Sequence, residues 1–323
     1  MTTSILSRQR VLVTGANGFI GRHLVAALSS ANIVYAATRS PAKFSGAENV
    51  VVGEVGPVTC WLNPLSESDT VVHLAGLAHG VGKRSESSIA EFQNVNVLGS
   101  VNLARQAVAA GVKRFVFLSS IGVNGPDNVV PFTEDSRPNP TRPYAISKHY
   151  AECALRDVFK GTSTELVIIR PPLVYAGDAP GNFAKLLQLV FRGVPLPLAK
   201  VANLRSMIAL ENLLDLIECC TVHPKAAGQL FLASDGLDVS TPEIVRALAS
   251  GMGREARLVP APVSAMRQAA KLVGRQALYG QLCGSLTIDS SKSRSLLGWR
   301  PVTDAWSALS RSGRNYALMA SSR

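Results

Sequence analysis

Cysteine is scarce: 323 residues hold five, Cys60, Cys153, Cys219, Cys220 and Cys283. No two form a Cys-x-x-Cys pair, so neither a zinc site nor a disulfide framework is indicated, and reduced thiols of a cytoplasmic protein are expected. Long apolar runs are missing too. No stretch approaches the ~18 continuous apolar residues of a membrane span, and the opening MTTSILSRQR lacks the apolar core of a secretory leader. Acidic residues are few, 22 Asp and Glu against 33 Lys and Arg, a net charge of +11. The basic residues are scattered, with no RNA-reading or zinc-finger pattern, so nucleic acid is not the expected partner. An anionic small ligand, or solubility alone, accounts for the excess. What is plentiful is apolar: 47% hydrophobic against 17% charged residues, which excludes a disordered, collagen-like or coiled-coil chain.

Short apolar runs alternate with helical patterns through the first half. RVLVT, at Arg10–Thr14, is a strand halted by glycine, and a helix over residues 18–28 follows. Further strands are expected at Ile33–Thr38 and over 50–54, 70–75, 114–119 and 166–170, with long helices over 88–110 and 144–159. Near-continuous apolar strands separated by helices imply a parallel sheet covered on both faces, with right-handed crossovers. The expected fold is therefore α/β: a doubly wound parallel sheet over residues 1–170 and a smaller, mostly helical lobe over 171–323. The lobe would cover the carboxyl ends of the strands, where open α/β sheets bind ligands. In it we expect helices over 211–221 and 241–250, separated by the short strand GQLFLA.

Gly15-Ala-Asn-Gly18-Phe-Ile-Gly21 sits between the first strand and the first helix. One glycine permits the tight turn, another lets backbone approach a pyrophosphate, and a third lets helix and strand pack closely. The helix amino terminus then offers free N–H groups to the anion. A Rossmann dinucleotide site is the consequence. At the end of the second strand stand Thr38-Arg39-Ser40 and then Lys43, where NAD-preferring folds place a carboxylate. A guanidinium and an ammonium suit a 2′-phosphate, so NADP(H) is favoured, with NAD(H) left open.

Tyr144-Ala-Ile-Ser-Lys148 puts a phenol and an ammonium one helical turn apart. Bringing a tyrosine from its ordinary pKa near 10 to neutrality takes ~4 kcal/mol. One ammonium within about 4 Å is expected to supply that. The phenol could then exchange a proton with a carbinol or ketone oxygen, while Ser119 or Ser120, ending a strand on the ligand rim, holds the same oxygen.

With these motifs in hand, the chain resembles the extended short-chain dehydrogenase/reductase family, the NAD-dependent epimerase/dehydratase group acting on nucleotide sugars. The resemblance runs from Arg10 to Trp299. It implies that Gly15, Asn17, Gly18, Phe19, Ile20 and Gly21 form the cofactor turn, joined by Arg39 and Lys43. It places Glu54 and Val55 beside adenine, Leu74, Ala75 and Gly76 in the family's Ala-Gly motif, and Asn96 in its Asn-Val-x-Gly-Thr motif. Ser120, Tyr144 and Lys148 become the catalytic set. Pro171 and Leu173 fall in the Arg-Pro-x-x-Val-Tyr-Gly segment beside the nicotinamide, with Ala176 intruding before Gly177. On the substrate side it implies contacts from Asn182, Phe183 and Arg205 to the nucleoside diphosphate. The stretch 194–198, with Pro197, would hold uracil by its backbone. Trp299, in Leu-Gly-Trp-Arg-Pro, is expected to be a core residue.

Family membership leaves the reaction open. Dehydratases of the group follow the strand-end Ser or Thr with Asp-Glu, whereas Ser120 precedes Ile121 and Gly122, so elimination is not expected. The stretches FVFLSSIGVNG, PYAISKHYAE and GNFAKLLQLVFRGVPLPLA look most like bacterial reductases of UDP-linked 4-keto-6-deoxy-HexNAc sugars in O-antigen (lipopolysaccharide) synthesis. A UDP-hexose 4-epimerase is the alternative, and a non-catalytic NADP(H) sensor is less favoured because Tyr144 and Lys148 are both present. The resemblance also implies a homodimer through the two long helices. Arg267, Lys271 and Arg275 recur every four residues near 263–278. We read them as a solvated helix face, so membrane association is not expected.

Overall fold

A computed structural model describes residues 8–78 and 88–322; most of the amino-terminal stretch read above for a leader lies outside them. In chain order the elements are β1 (Arg10–Thr14), α1 (Phe19–Leu28), β2 (Ile33–Thr38), β3 (Glu48–Val51), α2 (Leu62–Ser66), β4 (Thr70–His73) and α3 (Ile89–Phe92). There follow α4 (Ser100–Ala109), β5 (Arg114–Leu118), α5 (Pro143–Phe159), β6 (Glu165–Arg170), β7 (Leu173–Tyr175), α6 (Gly181–Phe191), β8 (Arg205–Ala209) and α7 (Leu210–Val222). The chain closes with β9 (Leu230–Leu232), β10 (Asp238–Val239), α8 (Thr241–Gly251), α9 (Val263–Leu272), α10 (Gln276–Cys283), α11 (Ser291–Leu297) and α12 (Ala305–Ser321).

Seven parallel strands form the main sheet in the order β3-β2-β1-β4-β5-β6-β9. Val13 pairs with Ala36 on one side and Val72 on the other. The strand order therefore reverses between β1 and β4, opening a crevice at their carboxyl ends. Each face has its own core, since every second side chain points to the opposite face. On one face α1 buries Leu24, Val25 and Leu28 at helical spacing against Leu213, Leu216 and Ile217 of α7. On the other, Leu103 and Ala107 of α4 and Ala151 and Leu155 of α5 cover Phe115 and Phe117. This is the doubly wound α/β fold expected.

The lobe holds a three-stranded sheet, β10-β8-β7, with α6, α8 and α12 packed around Tyr175, Phe183 and Leu248. The chain does not simply leave the first unit at residue 170. GQLFLA becomes β9, which pairs with β6 through Ile168–Leu230, and α7 covers the main sheet. Trp299 is buried in that same core and donates from its indole to Asp215 at 2.6 Å.

Three local differences from the expected elements have physical causes. The third strand lies at Glu48–Val51, not over 50–54: its pairing with β2 runs from Tyr35–Glu48 to Thr38–Val51, and register there is set by the neighbour. The long helix expected over 88–110 is broken into two α-helical pieces by a π-helical stretch, Gln93–Gly99. The basic helix near 263–278 is split at Gly274, whose φ of 65° only glycine adopts readily.

Candidate active site

The glycine turn has the shape that the sequence implies. Gly15 has a φ of 67°, and a Cβ there would lie 2.8 Å from the Ala75 nitrogen. A Cβ on Gly21 would meet the Gly15 oxygen at 2.1 Å. Both side-chain volumes are thus forbidden, and α1 begins directly over the turn. Its cap, Gly18, has no side-chain bond, and no acidic residue stands in the first turn. The amino terminus is left for an outside anion, and the cradle fits a dinucleotide pyrophosphate. Asn17 and Gly18 are exposed at this turn, with Phe19 and Ile20 half-buried behind them.

At the end of β2, Arg39 and Lys43 are exposed, and Arg39 donates to Glu54 at 3.4 Å. The carboxylate missing from the end of β2 is therefore returned by Glu54 from the segment after β3. That arrangement puts a carboxylate and a guanidinium side by side at the edge of the crevice. Val55 packs where α4 approaches: a Cβ on Gly99 would come within 2.9 Å of Val55 Cγ1.

Leu74, Ala75 and Gly76 leave β4 at the crevice. A Cβ on Gly76 would sit 3.0 Å from Asn96 Oδ1 and 3.4 Å from Lys148 Nζ, so three sequence-predicted residues converge here. Asn96 lies in the π-helical stretch, a rare geometry that concentrates at functional sites. Its side chain receives Leu77 N–H at 2.7 Å and donates to the Leu77 carbonyl at 3.1 Å and to Ser147 Oγ at 2.9 Å. It thus ties the loop after β4 to α5.

Behind it stands a histidine the sequence reading did not single out, although a His inside an apolar strand asks for a partner. His73 is fully buried between Thr14 Oγ1 (2.6 Å) and Ser100 Oγ (2.8 Å). Ser100 donates to the Asn96 carbonyl (2.7 Å), so its oxygen must accept from Nε2–H, and Nδ1 must accept from Thr14. The ring is the neutral Nε2–H tautomer, linking the cofactor turn to the π-helical stretch. Burial, with the Lys148 charge adding to it, holds its pKa down from 6.5 to about 3. Because the folded value is depressed, the stabilisation is fully present above pH 6.5 and drains away as pH falls toward about 3. Wild type should lose about 1.4 kcal/mol per pH unit in that window from this group. Denaturant midpoints measured across the window should fall less steeply for His73→Gln, and equal slopes would remove His73 from the account.

Ser120, Tyr144 and Lys148 meet at the carboxyl end of β5. Ser120 caps a short 3-10 turn, its Oγ accepting from Gly122 N–H at 3.1 Å. Pro143 opens α5 at the position where its missing N–H costs nothing, which sets Tyr144 in the first turn with its ring 6.3 Å from that of Phe92. Lys148 is buried one turn on, donates to the Leu118 carbonyl at 2.9 Å and lies 4.6 Å from the centre of the Phe117 ring. Burial lowers its pKa to about 8, opposed by the Glu152 charge. Tyr144 moves the other way: burial pushes its phenol up to about 12. The direction is opposite to the lowering expected from Lys148, and its cause is desolvation of the ring.

Beneath Lys148 runs a buried polar chain that the sequence reading also missed. Arg170 donates to both oxygens of Glu152 at 2.8 and 2.5 Å and to Asn124 Oδ1 at 2.9 Å, and Ser119 donates to Glu152. An arginine closing the apolar run ELVIIR was the available signal, since a buried charge demands a partner.

Ser120 and Tyr144 open onto a cavity of about 990 Å³ between the sheet and the lobe. Ile121, Gly122, Ala145, Leu173 and Leu186 give its inner wall an apolar character. Asn182 and Phe183 also line it; Asn182 bonds Gln281, whereas Phe183 is buried in the lobe core against Tyr175. Arg205 reaches the wall, donating to the Gly284 carbonyl at 3.0 Å, and burial lowers its pKa. No carboxylate pairs with it among the described residues, which leaves its charge for an anion. Pro197 is exposed and stands apart from the cavity, although its neighbours Leu196 and Leu198 line it. Pro171 is buried behind Ile121, whose N–H donates to the Pro171 carbonyl at 2.9 Å. Gly177 is structural: a Cβ there would press on Asn315 at 2.8 Å. Next to it, Asp178 clasps α1 by accepting from Arg22 and bonding His23 at 2.8 Å.

Comparison with known proteins agrees with this geometry. Residues 11–194 match the NAD dependent epimerase/dehydratase family. A UDP-glucose 4-epimerase of Vibrio cholerae is 40% identical over 90% of both chains. An N-acetyl-alpha-D-glucosaminyl-diphospho-ditrans,octacis-undecaprenol 4-epimerase of Escherichia coli O157:H7 is 27% identical over 76% of this chain and 73% of its own. The solved structure of MoeE5 with UDP-glucuronic acid and NAD is 25% identical, with a TM-score of 0.77 over 97% of this chain and 99% of that one. With a cradle for a dinucleotide and Tyr144 and Lys148 beside it, the chain belongs to the NAD dependent epimerase/dehydratase family.

Proposed function

We propose that the protein is a nicotinamide-dependent reductase acting on the 4-keto group of a UDP-linked 4-keto-6-deoxy-HexNAc sugar. The carrying observation is that Ser120 and Tyr144 open together onto a cavity roomy enough for a sugar nucleotide. A keto sugar needs a proton donor at its oxygen, and a deoxygenated sixth carbon suits the apolar side chains of Leu173 and Leu186 on the same cavity. Ile121 and Gly122 offer no group to move a second proton, as elimination would require.

When bound, a nicotinamide dinucleotide supplies the hydride. The turn at Gly15, Gly18 and Gly21 and the amino terminus of α1 would hold its pyrophosphate; Arg39, Lys43, Glu54 and Val55 would flank its adenosine, and Asn96 would brace the floor. Arg205 would take the sugar diphosphate, with Asn182 and Phe183 beside it. Ser120 donates to the keto oxygen, and Tyr144 gives its proton to that oxygen as the fourth carbon becomes a carbinol. The charge on Lys148 then stabilises the tyrosinate until solvent returns the proton. Arg39 and Lys43 favour NADP(H), while Glu54 favours NAD(H), so both should be accepted. The surface-polysaccharide setting, cytoplasmic location and homodimer that the resemblance implies belong to this proposal.

A 4-epimerase of UDP-hexoses is the second reading, favoured by the 40% identical Vibrio cholerae relative. The two separate in one assay. With a UDP-4-keto-6-deoxy-HexNAc and NADPH or NADH, the reductase consumes the reduced nicotinamide in step with product. No loss of its absorbance, together with inversion of UDP-glucose or UDP-N-acetylglucosamine, would sink the reductase reading.

A further inference from the structure

α9 and α10 form a hairpin at the cavity mouth, and neither helix contains a buried residue. Met266, Leu282 and Cys283 lean on the lobe core and hold the hairpin in place. Its tip points two large apolar side chains at solvent, Leu272 at 87% exposure and Val273 at 67%. The hairpin carries Arg267, Lys271 and Arg275 and no acidic residue over 263–283. Because Gly274 divides the helices, these three do not form one stripe. Arg275 turns into the cavity, whereas Arg267 and Lys271 are exposed on α9 beside the apolar tip.

A second segment adds exposed apolar side chains without basic neighbours over 127–132. The loop after β5 exposes Val129 completely and Val130 at 75%. It is fastened to the segment leaving α10: Asn128 donates to the Thr287 carbonyl at 2.7 Å and accepts from Thr287 N–H at 2.9 Å. Asp127 of that loop and Arg275 of the hairpin line the same cavity.

We propose that this rim docks on an anionic phospholipid surface, with Leu272, Val273, Val129 and Val130 entering the headgroup boundary and Arg267 and Lys271 lying on lipid phosphates. Exposed apolar side chains next to uncompensated basic ones are the chemistry of an interfacial anchor. The net charge of +11 makes the approach favourable, and the cavity would then open beside the bilayer. At the hairpin tip Leu272 and Val273 follow directly on Lys271, a juxtaposition that a solvated face does not require. Lipid binding is read without substrate, so its outcome is independent of the reaction proposed above.

The test is sedimentation of the full chain with vesicles of phosphatidylglycerol and phosphatidylcholine in equal parts, and with phosphatidylcholine alone. The protein should pellet with the first and stay in solution with the second. Leu272→Ser with Val273→Ser, and separately Arg267→Ala with Lys271→Ala, should each weaken partitioning about tenfold or more while turnover of a soluble substrate is unchanged. No pelleting with anionic vesicles, or equal pelleting of both double variants, overturns the proposal. So does a lipid-free oligomer that the Leu272→Ser, Val273→Ser variant dissociates, which assigns the rim to a second copy of the chain.

Discussion

Replacing Tyr144 with Phe is expected to lower kcat by roughly 10²–10⁴-fold, the range a positioned proton donor contributes. Nicotinamide nucleotide binding should stay unchanged, because the ring remains packed near Phe92 and only the hydroxyl is lost. Stopped-flow reduction of the keto sugar, run beside a fluorescence titration of the nucleotide, separates the two quantities. Retention of full turnover by the Phe variant would remove Tyr144 from the chemistry.

The largest effect on stability should come from Glu152→Ala. Glu152 and Arg170 are both buried, and their bidentate pairing is reinforced by Asn124 and Ser119. Removing the carboxylate strands a guanidinium in the core, which costs about 3–5 kcal/mol. The denaturant midpoint should fall accordingly. A second readout follows from position. The Glu152 charge opposes the burial that brings Lys148 down to about 8. In Glu152→Gln, which keeps the shape, the ammonium should lose its proton at lower pH and the alkaline decline of the rate should move the same way. An unaltered midpoint in the Ala variant, or an unmoved alkaline limb in the Gln variant, would contradict the arrangement.

Local patterns were readable wherever one residue type answers one geometric demand. The run at Arg10–Thr14, the turn at Gly15, Gly18 and Gly21, and the Tyr144–Lys148 spacing all depend on near neighbours, and the structure keeps each. What could not be read depends on distant partners. β9 joins the main sheet because Leu230 meets Ile168 across the molecule, which no local period encodes. The π-helical stretch Gln93–Gly99 is rich in Asn, Val and Gly, poor helix formers whose composition does not specify a π turn, and the bonds of Asn96 to Leu77 and Ser147 reach distant segments. The direction of the Tyr144 shift is likewise a property of surroundings, set by burial of the ring. The resemblance implies Glu54 beside adenine, whereas its contact with Arg39 joins two segments 15 residues apart and has no local signal.

The late arrival of β9 bears on biosynthesis. While the ribosome is still producing the lobe, β6 forms the bare margin of an otherwise complete sheet, its amides and carbonyls waiting for Leu230–Leu232. Such a margin is a template for strands of other nascent chains. Chaperone demand should therefore peak in that interval of translation, and substitutions that delay the lobe should lower soluble yield without touching the finished enzyme.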